Sequence, residues 1–168
     1  MAIWADDAAA RHWESADMAQ WTTRTQANAS PEQVLEVLTD PDSIRLWSPI
    51  DFEVEDLTSS RLSAGDVTRV TGRVAGFSVG FDVEIHAADE DGIELSADGP
   101  IGIDVRYDLA PASSGSEVTA TIGLRRGGGF TGRLIAQATA ALLSAGALDG
   151  AARSIARAAE RTPALALA

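Results

Sequence analysis

Residues 77–87 read FSVGFDVEIHA. Phe77, Val79, Phe81, Val83 and Ile85 alternate with Ser78, Asp82, Glu84 and His86. A period of two over this length predicts a strand with one apolar and one wet face, as in an antiparallel sheet. Working back from it, Ala75-Gly76 suits a two-residue hairpin turn, with residues 67–74 as the partner strand. That register sets Val74 opposite Phe77, Val70 opposite Phe81 and Arg69 opposite Asp82. Apolar then meets apolar and charge meets opposite charge, which supports the register.

Working forward, DEDG at 89–92 makes the next turn, and Ile93, Leu95 and Ala97 continue the apolar face. Ile101, Ile103, Val105, Tyr107 and Leu109 follow, SSGS at 113–116 turns again, and Val118, Ala120, Ile122 and Leu124 close the series. Two strands lie upstream. Residues 18–28 place Trp21, Thr23, Thr25 and Ala27 on one face, and residues 51–58 (DFEVEDLT) form the other strand.

Between those two lies SPEQVLEVLTDPDSIRLWSP, residues 30–49. Ser30 is an N-cap, Pro31 takes the first helical position and Gln33 completes a capping box. Val34, Leu35 and Leu38 form the apolar stripe. Asp40-Pro41 ends this helix, and Asp40 caps a second one carrying Ile44, Leu46 and Trp47, which Ser48-Pro49 stops. At the other end, RRGGGF (125–130) is a flexible lead-in to one long helix. Its apolar stripe runs through Phe130, Leu134, Ala138, Ala141, Ala145, Leu148, Ala152, Ile155 and Ala159, with Arg133, Arg153, Arg157 and Glu160 off it. Gly146 and Gly150 each cost roughly 1 kcal/mol against alanine, so a kink is compatible with that point.

The chain has 168 residues, 45% of them apolar, and no cysteine. One folded domain is expected, without disulfides, thiolate metal sites or cysteine nucleophiles. The net charge is -12, and all thirteen basic residues are arginine. Such a surface repels nucleic acid and anionic membranes in general. Asp6 and Asp7 fall where a signal peptide would need its apolar run, and the uncharged stretch 134–148 is short for a membrane span. The expectation is a soluble, cytoplasmic protein with no nucleic-acid partner and no stable membrane insertion.

The order of strand, paired short helices, six strands and long C-terminal helix resembles the START-like helix-grip (SRPBCC) superfamily. Within it, the polyketide cyclase/dehydratase and lipid-transport group is most similar. The residues carrying the resemblance are Ala29-Ser30-Pro31-Glu32-Gln33-Val34, Leu38-Thr39-Asp40-Pro41, Trp47-Ser48-Pro49, Gly65-Asp66-Val67 and the small-residue helix LLSAGALDGAARSIARAAE. It spans roughly residues 18–161. It implies an α+β helix-grip fold, a curved antiparallel sheet of about seven strands around the C-terminal helix, with a cavity between them. The expected organisation is an N-terminal extension (1–17), a START-like ligand-binding domain (18–162) and a C-terminal tail (163–168).

Small residues on the inner surfaces (Gly72, Ala97, Ala120 and the helix alanines) leave space for a small apolar ligand. A close-packed core is the alternative, and the residues alone do not choose; the resemblance favours the cavity. The expected lining is Trp47, Phe81, Val83, Tyr107, Ala120, Leu142 and Ala145. Tyr107, set opposite Ala120, carries a phenol that needs a partner, whether a ligand oxygen, a backbone carbonyl or water. It is the one weak candidate for a catalytic acid. Trp47 suits a cavity mouth or plain core packing, and Thr23 and Thr25 are weaker candidates.

His86 is placed on the outer face across from Glu94, where a surface pair explains it. With His12 as the second histidine, no metal site is expected, and no cofactor. Asp82, Glu84, Glu94 and Asp98 form a solvated face rather than a paired-acid site. Gly127-Gly128-Gly129 lacks the ending of a phosphate-binding loop, and no nucleophile elbow is present. Binding of a hydrophobic small molecule (aromatic, polyketide-like or lipid-like) therefore leads. A cyclase/dehydratase enzyme and an interaction module with a filled core are the alternatives.

Overall fold

The computed structural model describes residues 19–48, 52–55, 61–74, 76–125 and 129–161. The N-terminal extension, Pro49, the glycine-rich joint at 126–128 and the C-terminal tail lie outside them. The elements are β1 (Ala19–Ala27), α1 (Pro31–Thr39), α2 (Pro41–Trp47), β2 (Phe52–Glu55), β3 (Val67–Val74), β4 (Phe77–Asp89), β5 (Gly92–Asp98), β6 (Gly102–Ala112), β7 (Gly115–Arg125), α3 (Gly129–Ser144) and α4 (Ala147–Arg161). The strands make one antiparallel sheet in the order β1-β7-β6-β5-β4-β3-β2.

The central hairpin has the register its polarity requires. Val74 pairs with Phe77, Val70 with Phe81 and Arg69 with Asp82. Arg69 Nη1 lies 3.1 Å from Asp82 Oδ1, an exposed pair of small energetic weight. Val79, Phe81, Val83 and Ile85 are buried. Phe77 starts the strand at the turn and stays 43% exposed. Past Ile85 the pairing slips by one residue, so Ala87, not His86, stands opposite Glu94. His86 Nε2 instead lies 2.8 Å from Ser96 Oγ. A bulge of this kind leaves the bulged residue out of the ladder, and alternation gives no warning of it.

The two short helices are capped as their sequence asks. Ser30 Oγ accepts from the Gln33 amide and Gln33 Oε1 from the Ser30 amide, closing the capping box. Asp40 ends α1 and caps α2 through the Asp42 amide. Val34, Val37 and Leu38 are buried, whereas Leu46 on α2 is 81% exposed.

The single C-terminal helix expected from the sequence is two helices, bent by 61° across a break at Ala145–Gly146. Gly146 adopts φ 99°, a left-handed conformation that glycine takes without a Cβ penalty. Leu148, Ala152, Ile155 and Ala159 on α4 are buried, as their stripe implies. On α3 the stripe is misplaced: Phe130 is 78% and Leu134 38% exposed and Ala141 is exposed too, while Gly132, Ile135 and Thr139 face inward. The break resets the helical phase, so one stripe does not run through both.

Helix α4 lies along β1. Asp149 accepts a hydrogen bond from the Thr23 hydroxyl, and Glu160 Oε1 accepts one from the Asn28 amide at 3.0 Å. At the break, Trp21 Nε1 donates to Ser144 Oγ at 3.3 Å. No single helix among the described residues is long and apolar enough to cross a membrane.

Candidate ligand cavity

The apolar face of the sheet is not completely filled by the helices. Two chambers lie between them, of ≈ 260 Å³ and ≈ 240 Å³. The first is walled by Phe52, Val70, Phe81, Val83 and Ala97 from the sheet and by Thr139 from α3. The second is walled by Trp47 from α2, Tyr107 and Ile122 from the sheet, and Leu143, Leu148 and Ala151 from the C-terminal helices. Ile44, Ser48, Leu62, Leu95, Ile103 and Val105 border both, so the chambers adjoin.

The local sequence explains the space. Gly72 and Ala97 stand on strand positions where a large side chain would fill the first chamber. Ala147 and Ala151 do the same at the second. Ile103, Val105 and Tyr107 alternate with outward Asp104, Arg106 and Asp108 along β6, which points three successive inward residues at the chambers. Leu62 comes from the loop before β3 and is held by its amide, which donates to the Thr39 carbonyl at 2.9 Å.

The polar groups around the cavity are mostly engaged by backbone. The Thr68 hydroxyl donates to the Glu55 carbonyl, the Thr139 hydroxyl to the Ile135 carbonyl, and Trp47 Nε1 to the Val37 carbonyl at 3.1 Å. Tyr107 differs. It is buried, its ring meets the edge of Trp47 with centroids 6.0 Å apart, and its hydroxyl makes no hydrogen bond among the described residues. Burial pushes the phenol above its ordinary pKa, because phenolate would be desolvated there. The hydroxyl thus stays protonated and is a hydrogen-bond donor facing the second chamber. No charged side chain lines either chamber among the described residues. None of them forms a group of three or more metal-ligating side chains.

Of the residues expected from the sequence, Phe81 and Val83 line the first chamber and Trp47 and Tyr107 the second. Ala120 stands opposite Tyr107 and is fully buried in the packed core. Leu142 and Ala145 are exposed; α3 and the break turn Leu143 and Ala147 to the chamber instead. The threonines of β1 do not line either chamber, and Thr23 is used by Asp149. The six shared border residues were not among the expected lining. Ile44, Leu95, Ile103 and Val105 were legible as inward or helix-stripe positions, Ser48 only as a helix stop, and Leu62, an isolated apolar residue in a loop, carried no signal.

The outer face holds structural ion pairs. Arg125 bridges Asp98 at 2.9 Å and the buried Asp104 at 3.1 Å. Asp82 and Asp98 face each other across β4 and β5, each with its own arginine.

Comparison with known proteins agrees with this architecture. A family described as polyketide cyclase/dehydrase and lipid transport matches residues 18–160. No curated protein matches the chain. Among solved structures, protein CV1439 from Chromobacterium violaceum superposes with a TM-score of 0.63 at 14% identity, covering 85% of this chain and 99% of that one. TTHA0849 from Thermus thermophilus gives 0.62 at 14% identity, covering 88% and 99%. Ara h 8.0201 gives 0.54 at 16%, covering 82% and 97%. At these identities the likeness is one of fold.

Proposed function

We propose that this chain, which belongs to the polyketide cyclase/dehydrase and lipid transport family, encloses one apolar small molecule across both chambers and orients it through Tyr107. The observation that carries the reading is the unpartnered phenol lining an uncharged, mostly apolar cavity. Together the chambers fall within the volume range of known small-molecule sites, about 300–1,000 Å³. The ligand is aromatic, polyketide-like or lipid-like, with one carbonyl or ether oxygen to accept the Tyr107 hydrogen bond.

Binding is favoured over turnover by the same phenol. A general acid works best with a pKa near the operating pH. Burial moves Tyr107 the other way, so it donates a hydrogen bond and keeps its proton.

The test is a titration with prodan (6-propionyl-2-dimethylaminonaphthalene), an aromatic ketone whose emission shifts to the red when its carbonyl is hydrogen-bonded. The parent protein is expected to bind it. Tyr107→Phe removes one net hydrogen bond, worth roughly 0.5–1.5 kcal/mol or about 2- to 13-fold in affinity, and shifts the bound emission to the blue. Val105→Phe, at the border of both chambers, is expected to abolish binding in a folded protein. A folded Val105→Phe variant that binds as the parent does would overturn the reading.

A further inference from the structure

The outward side of α3 is apolar, and nothing among the described residues covers it. Phe130, Leu134 and Ala141, at steps of four and seven, stand in line on the side opposite Gly132 and Thr139 and are exposed, with Leu142 exposed beside them. Single apolar residues on a surface need no partner, but a contiguous apolar patch marks a contact. Arg133 is the one charge on this helix; it is exposed and makes no ion pair among the described residues. The start of β1 lies close by. Ser144, the last residue of α3, accepts a hydrogen bond from Trp21 Nε1 at 3.3 Å. Ala19 pairs with Leu124 on β7, and only a short joint separates the end of β7 at Arg125 from the start of α3 at Gly129. Residues 1–18 therefore join the fold beside both ends of α3.

We infer that residues 1–18 of the same chain dock on this side of α3, with Trp4 and Trp13 against Phe130, Leu134 and Leu142. The segment suits the surface in three ways. It supplies large apolar side chains, Trp above all, which gain most from burial. It carries Asp6, Asp7, Glu14 and Asp17 against Arg11 alone, and the charge it meets on α3 is Arg133, of opposite sign. It is also long enough: at a helical rise of about 1.5 Å per residue it spans about 27 Å, and α3 is about 24 Å long. A symmetric contact between two α3 helices would instead bring like charges together, in two chains each of net charge -12. Thr139, on the other side of α3, walls the first chamber, so the docked segment braces from outside the helix that covers that chamber.

The test is a nuclear Overhauser experiment on the full chain, labelled at its leucine methyl groups. Contacts are expected from the indole protons of Trp4 and Trp13 to the methyl groups of Leu134 and Leu142, and dilution should leave them unchanged. Trp21 lies near the end of α3, so a variant fixes the assignment. Trp4→Ala/Trp13→Ala should remove the contacts and shift the Leu134 and Leu142 resonances, while those of Leu38 and Leu109 in the core hold their positions. The inference does not depend on any ligand and uses the protein without one. Contacts that survive the double substitution, or that are missing from the parent, would overturn it. Contacts seen between labelled and unlabelled copies in a mixed sample would overturn it too, and would assign the face to a second copy of the chain.

Discussion

Helices α3 and α4 flank a break of two residues, both are rich in alanine, and they are held in different ways. Helix α4 buries Leu148, Ala151, Ala152, Ile155, Ala156 and Ala159 and turns Arg153, Arg157 and Glu160 to solvent. It is also tied to β1 near both ends, by Thr23–Asp149 and Asn28–Glu160. Helix α3 buries Gly132, Ile135 and Thr139 and leaves Phe130, Leu134 and Leu142 exposed. The bond from Trp21 reaches only its last residue, Ser144. The difference teaches a division of labour. Helix α4 is the element the sheet grips and it closes the second chamber; α3 covers the first chamber with Thr139 and little else.

The sharpest way to break this comparison is a charge on each helix. Leu148→Asp buries an unpaired carboxylate in α4 and is expected to cost several kcal/mol, unfolding the domain or nearly so in urea denaturation. Equal loss from Leu148→Asp and Leu134→Asp would show that α3 is gripped as firmly as α4.

An alkaline titration sharpens the α4 side, because Tyr107 shares its chamber with Leu148 and Ala151. The chain has one tyrosine, no lysine and no cysteine, so Tyr107 is the one side chain whose ordinary pKa lies between about 9 and 12. Its folded pKa is raised, so the unfolded chain loses the proton first as pH rises. Stability is therefore full below about pH 10 and falls by about 1.4 kcal/mol per pH unit above it, until the folded pKa is reached. Denaturation midpoints across that range should show the slope in the parent and none in Tyr107→Phe. A parent with no slope, and with phenolate absorbance appearing near pH 10 in the folded state, would mean that α4 does not seal the chamber.

Smaller effects belong to the exposed positions. Leu134→Asp is expected to cost less than about 1 kcal/mol, and Arg153→Asp to stay within about 0.5 kcal/mol, both by the same denaturation assay. A loss of several kcal/mol at Arg153 would reverse the assignment of the buried face of α4.

The same contrast explains what could be read from the sequence. The hairpin at β3–β4 was legible because alternation and cross-strand polarity constrain each other, and Arg69 meets Asp82 as they require. The face of α4 was legible because its arginines mark the wet side. On α3, GFTGRLIAQATAALLS carries a single charge, Arg133, so apolar residues lie all round the helix and periodicity cannot choose a face. Extending the α4 stripe through Gly146 then put Leu142 and Ala145 on the cavity wall, where Leu143 and Ala147 stand. Tyr107 was legible because it falls in phase with Ile103, Val105 and Leu109. The displacement of His86 was not, since a bulge leaves the residue pattern unchanged.

The most direct test of the cavity is an isotope-filtered NMR experiment on methyl-labelled protein with prodan bound. Intermolecular nuclear Overhauser effects are expected from the ligand ring to the methyl groups of Ile103, Val105 and Leu95, which border the chambers. Effects confined to Leu134, Leu142 or Leu46, the exposed apolar side chains on α3 and α2, would place the ligand on the surface and contradict the account.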